Sequence, residues 1–299
     1  MEAGTSEATG SPEPPEERFS AGPIREIGQG AGALVVGVAA ADAFNEFVPE
    51  GHRPKDVLPG AKSVIVAGNQ GPTAGAWRSP DHRVMGITGY DFRENVAVHV
   101  MCDHIESEYG YRALQAPSLP TAGHHPPMSM MLAAVLAGLG TRSLAANIIL
   151  HPDYGLLYYA ALVTSLPLVP DHVMAQNVCP AKPCVQMFKE LGTTPCLASC
   201  PKDEGGCLDG AIDDDGRISH SYYDRERCHT RSANFGVGSI QKSLVEIAGE
   251  PDPDRRRSMI DSDFFTNSLS AMSFYKESVA QCFECMRVCP VGQSHKRLK

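Results

Sequence analysis

The chain has 299 residues, 42% of them hydrophobic and 20% charged, with a formal net charge of −9. That is an ordinary globular composition, long enough for one large domain or for a core domain with a smaller one. The acidic balance argues against nucleic acid as the main partner, and no apolar run approaches the roughly 18 residues that span a bilayer, so no membrane is expected.

Residues 1–20 are rich in Glu, Pro, Ser and Gly and form an expected disordered tail. The tail shows no charged-then-apolar signal and no twin arginine, which points to the cytoplasm, where thiols stay reduced. Ala33–Ala39 and Ser63–Ala67 are short apolar runs bounded by Gly or Pro, each predicted as a buried strand. Ala41–Phe47 predicts a short helix between them. Asn95–Tyr109 predicts a longer one, with Val96, Val100 and Ile105 near one face and Gly110 as its stop. Ser129–Leu136 is apolar all round, the pattern of a buried helix. Leu156–Thr164 reads as a central strand. Residues 21–171 are therefore expected to form an α/β layered domain. Residues 172–299 are rich in Cys, Gly and Asp, as small modules are in which metal replaces part of the core. Within them Ser239–Ile247 predicts a helix and Pro251–Arg257 a charged loop. Asp213–Gly216 reads as a solvated turn.

Nine of the ten cysteines lie between Cys179 and Cys289. The last three form Cys282-Phe-Glu-Cys285-Met-Arg-Val-Cys289-Pro290, most of a bacterial ferredoxin run, in which the cysteine before proline ligates the other of two clusters. A second Cys-x3-Cys-Pro unit stands at Cys196–Pro201. Soft thiolates select iron–sulfur clusters or zinc. Zinc knuckles place no prolines at these points, so the pairing favours two [4Fe-4S] clusters with crossed ligation. A set of buried structural cysteines would not need spacing this regular. One cluster takes Cys179, Cys184, Cys196 and Cys289. The other takes Cys200, Cys228, Cys282 and Cys285. The spacing Cys179-x4-Cys184-x11-Cys196 is expanded, as though a loop stood before the third ligand. Cys102 and Cys207 read as structural. If the expanded loop fails to close, Cys207 enters the ligand set or a single cluster forms.

The order of the other motifs resembles a known superfamily. Lys55-Asp-Val-Leu-Pro-Gly-Ala-Lys-Ser-Val-Ile-Val-Ala67 is similar to the "LPGAKSVIV" segment of epoxyqueuosine reductases and reductive dehalogenases. Ala137–Gly140, Asn147, His151-Pro-Asp-Tyr-Gly155 and Val163–Asp171 resemble its "AGLGxxGxN…PEFG…TDLPLxPD" block, and the cysteines follow directly. The resemblance implies a nitroreductase-like α/β domain holding base-off cobalamin, followed by a ferredoxin-like double-cluster module. It also implies an oxidoreductase acting on a small organic molecule, by reductive dehalogenation or deoxygenation. Electrons would come from a reduced ferredoxin or flavodoxin-like donor and pass through the clusters to cobalt. Cobalamin rests on the resemblance alone. Two departures bear on the substrate. Epoxyqueuosine reductases carry their proton-donating aspartate before Ser-Ala-Pro, and Leu114 holds that place in Leu114-Gln115-Ala116-Pro117. The segment Gly138–Asn147 lacks one glycine and has extra residues. A cobalamin-processing protein and a plain electron-transfer protein are the alternatives.

Candidate catalytic residues are His124 and His125, which can donate protons near neutral pH or sit in a Pro-rich surface turn, and Tyr154 and Tyr158, proton donors or core. Gly138 and Gly140 allow close approach to a cofactor or tight packing. Arg142 and Asn147 are candidate cofactor contacts, with solvent exposure the alternative for Arg142.

Overall fold

The computed structural model describes residues 17–69, 93–117, 126–145, 148–200, 206–224, 227, 237–262, 265 and 284–292. The first half is a sheet covered on both faces. Strands β1 (Val35–Ala40), β2 (Ser63–Asn69), β3 (Ala113–Gln115) and β7 (Tyr158–Thr164) lie in the order β1-β2-β7-β3. Every pair is antiparallel, with Ile65 opposite both Val38 and Leu162. Successive side chains of a strand point to opposite faces. Val64 and Val66 accordingly enter one core and Ile65 and Ala67 the other. All seven residues of β2 are buried, which is why it reads as an unbroken apolar run.

One face is covered by α1 (Gly22–Gly30) and α3 (Arg93–His104), the other by α4 (Met130–Leu136) and a 3-10 turn at Ala41–Glu46. A one-turn helix, α2 (Pro54–Val57), precedes β2. The predicted long helix is present but its buried face differs. Ala97, Val98, Met101, Cys102 and Ile105 are buried, whereas Val96 is 52% and Val100 37% exposed. At about 100° per residue, Ile105 stands half a turn from Val96. After α3 the chain continues as a π-helical turn, Ile105–Tyr109, and Gly110 ends it at φ +70°. Such left-handed backbone favours glycine.

A second, small sheet is made of β4 (Thr141–Arg142), β5 (Ile149–His151) and β6 (Gly155–Leu156). The Cys-rich half supplies α5 (Lys182–Leu191), α6 (Pro195–Ser199), the hairpin β8 (Leu208–Ile212) and β9 (Ile218–Tyr223), α7 (Val237–Gly249), α8 (Pro253–Ile260) and α9 (Glu284–Arg287). Asp213–Gly216 is the hairpin turn, with Gly216 at φ +77°. The expected charged loop is α8: Asp252 caps it by accepting from the Asp254 and Arg255 amides, and Pro253 opens it. Among the described residues no helix is long and apolar enough to cross a membrane.

Candidate functional site, a thiol-lined cavity

The small sheet is where the two halves meet. Ala145, Ile148, Leu150 and Leu156 form a compact apolar core, and Cys179, Cys196, Cys285 and Cys289 pack against it with Tyr158. Beside it an apolar cavity is lined by Cys179, Cys184, Cys196 and Cys289, together with Leu144 and Val291. These four cysteines come from three separate stretches of chain and are the first set the spacing assigned.

Local chemistry explains how each arrives there. The Val178 amide donates to Thr141 Oγ1 at 2.8 Å, which pins the residue before Cys179 to β4. Cys184 lies in the first turn of α5, its amide donating to the Ala181 carbonyl. The stretch between Cys184 and Cys196 is mostly this helix rather than a loop. Gly192 ends it at φ +64°, and Pro195 opens α6, which carries Cys196. Cys289 follows α9. The Leu156 amide donates to the Gly292 carbonyl at 3.2 Å, which ties that end of the chain to β6. Gly155 makes the docking possible: a Cβ there would stand 2.4 Å from the Val291 carbonyl oxygen.

Amide hydrogens are aimed at the sulfurs. Leu144 donates to Cys179 Sγ at 3.3 Å and Gly292 to Cys289 Sγ at 3.2 Å. Thr194 Oγ1 lies 3.2 Å from Cys196 Sγ. Burial pushes the Cys179 thiol up to about 12, the Leu144 amide opposes this, and the neighbouring Cys289, Cys196 and Cys184 add to it. Burial is also the main cause of the upward shifts at Cys184 and Cys289. Four thiolates gathered here would repel one another unless bound iron supplied the balancing charge. Among the described residues no group of three or more His, Cys, Asp or Glu is set to hold one metal ion. A single tetrahedral zinc draws its thiolates to within about 3.8 Å of each other. A [4Fe-4S] cluster takes one cysteine at each iron, and four thiols lining one cavity, two of them accepting backbone amides, are a donor set of that chemical kind.

The second expected set is only partly described. Cys228 and Cys282 lie outside the described residues, as do His124, His125 and Asn147. Cys200 is buried and Cys285 half-buried on α9. Cys207, read as structural, lies with its Sγ 3.5 Å from that of Cys200, and its amide donates to Cys200 Sγ at 3.2 Å. Spacing alone gave no signal for this pair.

The other candidates are dispersed. Tyr158 adjoins the cysteine-bearing core, but Tyr154 packs on the main sheet's core and against His151, ring centroids 5.0 Å apart. Tyr159 is core: burial raises its hydroxyl, which donates to the Leu139 carbonyl. A Cβ on Gly138 would meet the His172 carbonyl at 2.4 Å, and one on Gly140 the Leu150 carbonyl at 2.7 Å. Packing within the chain therefore accounts for both glycines. Arg142 is exposed on β4. Among the described candidates for cofactor contact, Gly138 and Gly140 are thus explained by packing and Arg142 faces solvent.

No family model matches the chain, and no curated protein matches it. Solved structures align with it at low identity. An epoxyqueuosine reductase with a tRNA-Tyr epoxyqueuosine-modified stem loop is 17% identical, over 91% of this chain and 65% of that one, at a TM-score of 0.49. The epoxyqueuosine reductase of Streptococcus thermophilus is 15% identical over 91% and 65%, also at 0.49. A reductive dehalogenase described by its B12-dependent dehalogenation is 17% identical over 84% and 35%, again at 0.49. The chain thus spans just under two thirds of the length of these epoxyqueuosine reductases. They belong to the superfamily that the motif order resembles. The tRNA complex also corrects one expectation: an overall charge of −9 does not set nucleic acid aside as a main partner. Net charge sums the whole surface, whereas a binding face needs only a local field.

Proposed function

We propose that this protein is an iron–sulfur reductase of the epoxyqueuosine reductase and reductive dehalogenase type. Cys179, Cys184, Cys196 and Cys289 hold one [4Fe-4S] cluster, and Cys200, Cys228, Cys282 and Cys285 hold a second. The observation that carries this reading is the convergence of four thiols from three chain segments on one cavity, with two backbone amides donating to their sulfurs. Hydrogen bonds to cluster sulfurs and the degree of burial set the reduction potential. The chain's own part is thus to hold iron in a dry pocket against the small sheet and to tune its electron affinity.

Cobalamin belongs to the proposal through likeness of motif order. When bound, a corrinoid supplies a strongly reducing cobalt centre for cleaving carbon–halogen or carbon–oxygen bonds. The substrate is a small organic group, either free or carried on a larger molecule such as RNA. A reduced ferredoxin or flavodoxin-like protein is the proposed donor. Leu114 lies on β3 opposite Val163 and packs against the main core. A leucine there donates no proton, which favours a substrate other than epoxyqueuosine.

The test is anaerobic reconstitution with iron, sulfide and hydroxocobalamin, followed by desalting, metal analysis and an absorption spectrum. The expected result is roughly eight iron per chain, four for each cluster held by four cysteines, and one cobalt. Iron without cobalt would replace the reductase by an electron-transfer protein, and no iron would remove both readings.

A further inference from the structure

Cys200 and Cys207 stand apart from the four-thiol cavity in one respect, since their sulfurs touch each other. The 3.5 Å separation is too short for two cysteines on different irons of one cluster, each of which is held out by its own metal. It is close to what a disulfide needs. An S–S bond is about 2.05 Å long, so closure asks the sulfurs to approach by about 1.5 Å. The Cys207 amide already donates to Cys200 Sγ at 3.2 Å, and the Asp224 amide donates to the Cys207 carbonyl at 2.7 Å. The backbone at Cys207 is thereby held at the start of β8, facing Cys200. Cys200 is buried and Cys207 half-buried, so an oxidant from solvent meets Cys207 first.

We propose that Cys200 and Cys207 are a redox pair that closes to a disulfide when iron is absent from Cys200 and opens when a thiol reductant returns. The inference rests on the reading of Cys200 as a ligand of the second cluster. With iron in place the Cys200 sulfur is occupied, and the Cys207 S–H and N–H both donate to it. Without iron, the Cys207 thiolate attacks a low-molecular-weight disulfide, forming a mixed disulfide and releasing one thiol. Cys200 then attacks the Cys207 sulfur and releases the second thiol. Two protein thiols are oxidised, one small disulfide is reduced to two thiols, and no further electron acceptor is needed. Closure takes Cys200 away from iron, so the second cluster cannot rebuild until the bond is reduced.

The sequence makes the bond easy to read, because trypsin cuts after Lys202 and separates peptide 190–202 from peptide 203–217. Full-length protein is stripped of iron by a chelator under reductant, then treated anaerobically with oxidised glutathione, digested and sequenced by mass spectrometry. The expected product is the two peptides joined through Cys200 and Cys207, with Cys196 still alkylatable. In Cys200→Ser the Cys207 peptide should instead retain a glutathione adduct. Recovery of both peptides unlinked from oxidised wild-type protein overturns the proposal. Linkage through Cys196 overturns it as well. Iron reloading separates this proposal from the cluster assignment. Oxidised apoprotein should take up about half the iron of reduced apoprotein, four of eight, and dithiothreitol should restore the rest. A linked pair with undiminished iron uptake confirms the disulfide and removes Cys200 from the ligand set.

Discussion

Cys184 tests the four-thiol cavity most sharply, because it enters from a helix that interrupts the usual ferredoxin spacing. Cys184→Ser should lower reconstituted iron by about half, the content of one of two clusters each held by four cysteines, as read by iron analysis. Unchanged iron would take Cys184 out of the set. Cys102 is the contrasting case. Its thiol, carried on α3, is buried in the core and pushed up to about 12, chiefly by burial and then by Glu106 and Asp103. A folded-state value raised above the ordinary 9.0 favours the fold while the thiol keeps its proton. That contribution is full below pH 9 and is lost as pH rises toward 12. Cys102 should therefore resist iodoacetamide at about pH 8 in native protein, where the thiol keeps its proton, and react once the chain is unfolded, as mass spectrometry of the alkylated peptide will show. Neighbours and spacing were enough to anticipate where these two residues lie, Cys102 in the core and Cys184 at the cavity. For Cys207 they were not: its approach to Cys200 depends on where a turn returns to β8, and turn geometry leaves no periodic mark.

At the scale of elements, the site depends on how the end of the cysteine run is docked. Gly155 has φ +69°, and an added Cβ would meet the Val291 and Gly292 carbonyls at 2.4 and 2.8 Å. Both are backbone atoms with nowhere to yield. Gly155→Ala should displace the strap that carries Cys289 and remove about half the iron, one cluster of two, while far-ultraviolet circular dichroism stays near wild type. Full iron loading would show that the docking is not needed for the cavity. The α8 cap gives a second test, because the Asp252 side chain accepts from two first-turn amides. Asp252→Ala should cost about 1 kcal/mol, seen as a lower midpoint of urea unfolding with iron content unchanged. Three of the main sheet's four strands, β1, β2 and β7, were legible because burial on both faces leaves unbroken apolar runs; β3, three residues long and partly exposed, left no such run. The buried face of α3 was misread because Val96 and Val100 are i, i+4 neighbours, yet Ala97 and Met101 beside them face the sheet. α8 was missed because charge dominates its composition, although Asp252-Pro253 is a helix-start signal.

For the molecule as a whole, the two halves differ in what can hold them together. The sandwich buries Phe44, Ile65, Leu162, Met101 and Ile105 almost completely, and each such side chain contributes about 1.5–3 kcal/mol. Among its described residues the Cys-rich half has much smaller cores. One consists of Leu144, Leu197 and Ile212, flanked by Cys179 and Cys196. Another consists of Ile240, Ile247 and Phe265. If iron takes the place of the missing apolar burial, as metals do in small modules, chelation should loosen this half and spare the other. Hydrogen exchange followed by mass spectrometry should show faster exchange across α5, α6 and β8–β9 in chelated protein. Protection in β2 and β7 should be retained, because their amides are paired on both sides within the main sheet. Thermal unfolding should then change from one transition to two, the lower one moving with iron content. Equal loosening of β2 and α5 would mean that the small sheet couples the halves too tightly for metal to stabilise one alone. The docking of Gly292 on β6 would then be a load path through the whole fold, and Gly155→Ala should destabilise the sandwich as well as the cysteine cavity.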